Sequence, residues 1–236
     1  MKLADFTLKR NHAQDEKKSR GICLTCLRPP LTCYCRHIQS FDPKIRFVIL
    51  IHVREAQRRV ATGRLSHLCL ENSLLLNGYD YSQDARVNAI IENRGNHCVV
   101  LYPGAQSINL SHGTQGENTN LFPSQKELVV FVIDGTWTTA RKIVQRSKNL
   151  AALPQICFSP TQPSRFRLRL QPKDNYISTI EAIHQTIELL GPIRGFDTRS
   201  RTHDHLLFVF DQMVEQQIEL ALQYKPRFLR HSPKPS

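Results

Sequence analysis

Residues 128–137 read Leu-Val-Val-Phe-Val-Ile-Asp-Gly-Thr-Trp (LVVFVIDGTW), and this stretch decides the fold class. Six consecutive apolar residues, rich in β-branched side chains, are strand-sized. Having no polar alternation, they belong to a strand covered on both faces. The strand delivers the carboxylate of Asp134 to its carboxyl edge. Gly135 permits a tight turn there, and Thr136 is placed to cap a helix that opens at Trp137. Over 137–148, Trp137, Ala140 and Val144 share one helical face, while Arg141, Lys142, Arg146 and Lys148 are left to solvent. On these grounds alone Asp134 is either a ligand-facing group or a plain turn residue, because strand-Asp-Gly turns are common.

Working outward, Ile45–Ile51 (IRFVILI) and Cys98–Tyr102 (CVVLY) have the same strand character, and Gln155–Phe158 is a shorter example. Helical spacing predicts a helix over Val60–Leu76, one over Ser178–Leu190 carrying Ile180, Ile183, Ile187 and Leu190, and one from Leu206 to Leu222. Ser111–Asn120 reads as a polar loop and Thr161–Lys173 as a basic one. Apolar strands alternating with helices imply an α/β fold, with a mostly parallel sheet and helices on both faces. Ligands of such sheets gather at the carboxyl ends of the strands. That rule points to His52, to Tyr102-Pro103-Gly104 and to Asp134. The expected organisation is a polar arm over 1–20, a cysteine module over 21–40, one α/β domain over 41–225 and a basic tail over 226–236.

Lys and Arg outnumber Asp and Glu by 32 to 20, giving a net charge of +12 and an isoelectric point near 9.6. Such an excess favours a polyanionic partner, nucleic acid ahead of a membrane surface. The opening residues lack the apolar core of a signal peptide, and no run approaches the ~20 apolar residues of a spanning helix. The expected location is therefore the cytoplasm, where thiols stay reduced. Four cysteines fall in one Pro-punctuated stretch, Cys23-x2-Cys26-x6-Cys33-x-Cys35. Thiols at that density suit a closed tetrahedral zinc site, with His37 as a substitute ligand; two disulfides or unligated thiols are the alternatives. Cys69, Cys98 and Cys157 lie in apolar patterns and read as packing residues.

Asp134-Gly135-Thr136-Trp137 followed by Thr139-Ala140-Arg141-Lys142 resembles the Asp-x-Thr-Trp signature of the DTW-domain family. The resemblance runs from Cys23 to about Leu190. It takes in the four-cysteine head, His52-x2-Glu55 with Arg58 and Thr62-Gly63-Arg64-Leu65, then Ser164-x-Phe166-Arg167-Leu168-Arg169, and lastly Ser178-Thr179-Ile180-Glu181-Ala182. Two positions depart from the pattern: Val53 stands where Pro is usual, and Ala61 where Asn often precedes Thr-Gly. The resemblance implies a SPOUT-like α/β fold and a tRNA-uridine aminocarboxypropyltransferase. Such an enzyme moves the 3-amino-3-carboxypropyl group of S-adenosylmethionine to uridine N3 and releases methylthioadenosine. Bacterial members with this cysteine head imply nucleotide 47 of the tRNA variable loop as the target.

Under that resemblance Asp134 is the candidate general base, with Thr136 and Trp137 beside it at the reaction centre. Gripping the amino group of the cofactor is the other role open to Asp134. Trp137 is suited to stack on adenine or uracil, or to cover the sulfonium, and otherwise to pack in the core. Tyr102, Pro103, Gly104, Gly135, Ser178, Thr179 and Glu181 are the candidate cofactor contacts. Ser178-x-x-Glu181 is also a capping box, and both readings stand. Arg165, Arg167 and Arg169 alternate on an extended segment, with Phe166 and Leu168 opposite, and with Arg141 and Lys142 form the candidate RNA contacts; a solvated face would look the same. His52 and Glu55 either line the site or belong to the core. The competing functions are a SPOUT-type methyltransferase and a non-catalytic zinc-bearing RNA-binding protein. The partner implied is tRNA, with no membrane and no protein partner.

Overall fold

A computed structural model describes residues 21–56, 61–113, 120–167 and 176–224. Six strands form one sheet: β1 (Arg46–His52), β2 (Ser73–Gly78), β3 (Asn96–Leu101), β4 (Ile108–Asn109), β5 (Glu127–Asp134) and β6 (Gln155–Cys157), in the order β2-β1-β5-β3-β6-β4. All of its ladders are parallel. The helices are α1 (Val53–Ala56), α2 (Thr62–Cys69), α3 (Ala85–Glu92), α4 (Trp137–Arg146), α5 (Lys148–Ala151), α6 (Thr179–Leu190) and α7 (His205–Tyr224).

The two-residue side-chain period of the strands divides the core in two. Phe47 and Ile49 of β1, with Leu128, Val130 and Val132 of β5, face α2, α6 and α7. Val48, Leu50, Val129 and Phe131 face α3, α4 and α5. The fold is therefore the α/β sandwich that the continuous apolar strands imply. The cysteine head is part of it, since Cys26 and Tyr34 are buried in the α6–α7 layer. Gln216 of α7 also donates to the Leu31 carbonyl at 2.7 Å. Among the described residues no helix is long and apolar enough to cross a membrane.

The sequence-based elements need three corrections. The helix expected over Val60–Leu76 ends at Cys69, and Leu74–Leu76 belong to strand β2, with Leu75 opposite Ile49 of β1. Ser73 turns the chain by donating from Oγ to the carbonyls of Leu70 and His67. Leucine favours a helix by intrinsic propensity, and the ladder with β1 overrides that preference. The helix expected over 137–148 breaks at Ser147, whose Oγ accepts the Tyr81 N–H at 3.0 Å. Helix α3 is an addition to the elements the apolar spacing predicts; Asp84 caps it by accepting the Arg86 and Val87 N–H groups.

Phe131 is fully buried on the central strand, at the heart of the α3–α5 layer. Replacing it by Ala is expected to cost about 3–5 kcal/mol of unfolding free energy. Urea denaturation followed by circular dichroism measures the loss, and a cost below 1 kcal/mol would be inconsistent with this core.

Candidate active site

Because every ladder is parallel, the carboxyl ends of β1, β3, β5 and β6 open on one edge of the sheet. A cavity occupies that edge. Its walls include Leu101 at the end of β3 with Tyr102 and Pro103 after it, Val132 to Asp134 of β5 with Gly135 after it, Cys157 at the end of β6 with Phe158 after it, and Ser178-Thr179 at the head of α6. Glu55, Thr62 and Trp137 complete the rim.

Asp134 is the last residue of β5 and only 6% exposed. Its Oδ1 accepts the Thr179 hydroxyl at 2.6 Å and the Thr62 hydroxyl at 3.4 Å, and its Oδ2 accepts the Gly63 N–H at 3.1 Å. Thr62 and Gly63 open α2, and Thr179 opens α6, so two helix N-termini converge on one carboxylate. Unpaired N–H groups and the helix dipole favour negative charge there. Burial works the other way and dominates, raising the Asp134 pKa above the ordinary carboxylate value, with the Glu55 charge adding to the rise. The approach depends on glycine: a Cβ on Gly63 would stand 2.5 Å from Asp134 Oδ2.

Trp137 is half-buried on the cavity wall, not enclosed in the core, and its ring lies 4.2 Å from that of Tyr176 at 32°. Thr136 stands behind the wall as the N-cap of α4, its Oγ1 accepting the Thr139 N–H at 3.2 Å. Gly104 is likewise set back, in a turn where its N–H donates to Ser107 Oγ at 2.8 Å.

Glu181 is also away from the cavity. Its carboxylate accepts the Ser178 N–H (2.7 Å) and hydroxyl (2.6 Å), the Ser164 hydroxyl (2.7 Å) and the Arg165 N–H (2.6 Å). The capping box therefore forms, and the same carboxylate ties the segment after β6 to α6. Arg165 and Arg167 do share one side, opposite buried Phe166, but they pair with Asp211 and Glu215 of α7 at 2.9 and 3.3 Å. Arg141 and Lys142 are exposed on α4, whereas Arg169 lies outside the described residues. His52 is not on the cavity wall; its Nδ1 accepts the Arg54 N–H at 3.2 Å. Sequence reasoning missed Tyr176 and Ile177, single residues in a non-periodic segment that gives no local signal, and Phe158, which was read only as the end of a strand.

In the head, Cys23, Cys26, Cys33 and Cys35 bring their sulfurs within 4.8 Å of one another. Cys23–Cys35 and Cys26–Cys33 are separated by 3.7 and 3.6 Å. A disulfide needs about 2.05 Å. Zinc–sulfur bonds of about 2.3 Å in a tetrahedron give edges of about 3.8 Å, so the four sulfurs fit a closed metal site. Backbone N–H groups of Cys26 and Thr25 hold the Cys23 pKa down to about 6, while burial raises that of Cys26. His37 is not in the set; its Nε2 accepts from Arg36 Nε.

The model of the family described as "DTW domain" matches residues 20–218. Three curated relatives carry the name tRNA-uridine aminocarboxypropyltransferase 2. The mouse (Mus musculus) protein is 24% identical over 180 residues, 75% of this chain and 58% of its own. The Macaca fascicularis protein is 25% identical over 177 residues, 73% of this chain and 57% of its own. The Drosophila melanogaster protein is 26% identical over 183 residues, 75% and 69%. The chain thus spans less than three fifths of the length of the two mammalian relatives. No solved structure matches the chain significantly.

The raised pKa of Asp134 has a signed consequence for stability. Between the unfolded value of about 3.9 and the higher folded value, the native state binds more protons than the unfolded chain. Stability therefore falls as pH rises through that window. Denaturation across pH 4 to 7 is expected to show this decline in the wild type and a flatter profile in Asp134→Asn. Parallel profiles would mean that Asp134 titrates as it does in the unfolded chain.

Proposed function

This chain belongs to the DTW-domain family, and from that premise we propose that it is a tRNA-uridine aminocarboxypropyltransferase. It transfers the 3-amino-3-carboxypropyl group of S-adenosylmethionine to N3 of a tRNA uridine, at nucleotide 47 of the variable loop, and releases 5′-methylthioadenosine. The observation that carries the reading is the buried Asp134 carboxylate at the strand edge, held by two helix N-termini beside an aromatic pair.

The cavity's groups suit that donor. The Trp137–Tyr176 pair offers π-faces to a sulfonium cation or an adenine ring. The first amides of α6 suit a carboxylate, and Glu55 on the cavity wall suits an amino group. Tyr102 and Pro103 form an apolar bend against the nucleoside. When bound, the sulfonium supplies an activated carbon next to a neutral sulfur leaving group. The protein's own work is orientation and proton removal. A carboxylate has about four acceptor positions, and three on Asp134 are engaged by Thr62, Gly63 and Thr179. The remaining one serves the N3 proton, and the raised pKa brings this base closer to working pH. As the N3–C bond forms, the C–S bond breaks and its electron pair leaves with methylthioadenosine; Asp134 later returns the proton to solvent.

Arg141 and Lys142 offer exposed charge to tRNA phosphates, and so do Arg165 and Arg167, whose surface ion pairs are worth only about 0–1 kcal/mol and yield readily. The four cysteines hold structural zinc, which cross-links a head too short for a core of its own. Prolonged chelation is expected to lower the thermal midpoint, and added zinc to restore it; a midpoint indifferent to chelation would refute the metal.

The deciding experiment is mass spectrometry of tRNA incubated with the protein and S-adenosylmethionine. One aminocarboxypropyl group on a uridine is expected, with the rate falling about 10²–10⁴-fold in Asp134→Asn. A gain of one methyl group would replace the transfer chemistry with methylation. No gain on any tRNA would favour a binding protein.

A further inference from the structure

A second convergence of donors lies away from the cavity, where α6 meets the start of α7. His184 and Glu188 sit one turn apart on α6, and His203 and Asp204 lie on the 3-10 turn Thr202–Asp204 that feeds α7. One ligand atom from each falls within 4.8 Å of all the others. His184 Nε2 is 2.8 Å from Asp204 Oδ1, and His203 Nε2 is 3.0 Å from Glu188 Oε1 and 3.9 Å from Asp204 Oδ1. Donors about 2.0–2.1 Å from a tetrahedral zinc stand roughly 3.4 Å apart, within the spread of these separations.

His203 is the second observation. It is fully buried, and neither ring nitrogen makes a hydrogen bond; Glu188 Oε1 meets Nε2 at 3.0 Å only as an ion-pair contact. A buried imidazole without hydrogen bonds calls for an explanation. Its ring stacks at 4.7 Å on that of His184, itself 8% exposed, so the two imidazoles are packed into place.

We propose that His184, Glu188, His203 and Asp204 form a second divalent-metal site, of zinc type, distinct from the cysteine site. Two imidazoles and two carboxylates select a borderline first-row ion such as zinc over calcium or magnesium, which prefer all-oxygen shells. Arg201 is the metal's rival. Its guanidinium contacts Glu188 through Nη1, Asp204 Oδ1 through Nη2 at 2.6 Å and Asp204 Oδ2 through Nε at 2.9 Å. That side chain is half-exposed and free to withdraw its Nη groups into solvent. The Nε contact to Oδ2 can persist as an outer-shell bond while Oδ1 binds metal. The site pins the chain reversal between α6 and α7, which backs the polar cavity lined by Arg165, Gln185 and Asp211.

The test is the zinc content of the purified full-length protein after equilibration with Zn²⁺, together with Co²⁺ absorption spectra. His184→Ala is expected to hold one zinc fewer than the wild type. The cobalt it fails to bind contributes ligand-field bands without thiolate charge transfer. Arg201→Ala, a change at a half-exposed position, keeps the test open if the buried variant misfolds; it is expected to bind the second zinc roughly tenfold tighter. Zinc content and affinity that are the same in wild type, His184→Ala and Arg201→Ala would overturn the site and leave a buried ion-pair network. Thiolate charge transfer from every bound cobalt would overturn it too.

Discussion

A carboxylate taken out of water survives only where donors replace its hydration, and at Asp134 those donors arrive from two helices distant from it in the chain. Strand β5 delivers the side chain, α2 offers the Gly63 N–H and the Thr62 hydroxyl, and α6 offers the Thr179 hydroxyl. Both helices lie on the same face of the sheet, so one buried group sets their N-termini against the strand edge. The arrangement tolerates no side chain at Gly63. It also keeps the carboxylate electrostatically tense: helix dipoles favour its charge while burial and Glu55 oppose it. The net result is a strand-end carboxyl whose pKa stands above the ordinary carboxylate value.

The walls of the cavity are ordered by a second carboxylate with a different task. Glu181 gathers donors from Ser178, Ser164 and Arg165, tying the segment after β6 to the head of α6. Arg165 and Arg167 extend the tie to α7, and Phe166 anchors it by packing on Phe210 with ring centroids 5.4 Å apart. The stretch proposed to contact RNA is thus also a strap across two helices. Both uses are compatible, because exposed ion pairs exchange partners at little cost.

Local pattern made some elements legible and hid others. Strands β1, β3 and β5 are continuous apolar runs, so their type and burial are plain, and helix α6 shows its core face in Ile180, Ile183, Ile187 and Leu190. Strand β2 was hidden because Leu74–Leu76 follow a true helix without a break, and only the ladder with β1 separates the two. At the site, Asp134, Trp137, Tyr102 and Thr179 were identifiable from motif and strand-edge position, and all four line the cavity. Tyr176 was not, because a lone aromatic in an irregular segment carries no period. The His184–Glu188 pair looks like an ordinary helix face until the turn before α7 brings His203 and Asp204 against it.

The sequence by itself determined what depends on short-range order. Alternating apolar runs and helical spacings meant an α/β fold with a parallel sheet, the cysteine spacing meant a compact thiol cluster, and the signature after β5 meant membership of a family. Tertiary structure decided what each polar group is for. Thr179 and Gly63 hold Asp134, Glu181 straps a loop instead of facing the cavity, and Trp137 meets Tyr176 across the opening. The reason is physical: a strand or helix records its own burial in its side-chain period, whereas the partners of a buried charge come from distant segments and leave no local mark.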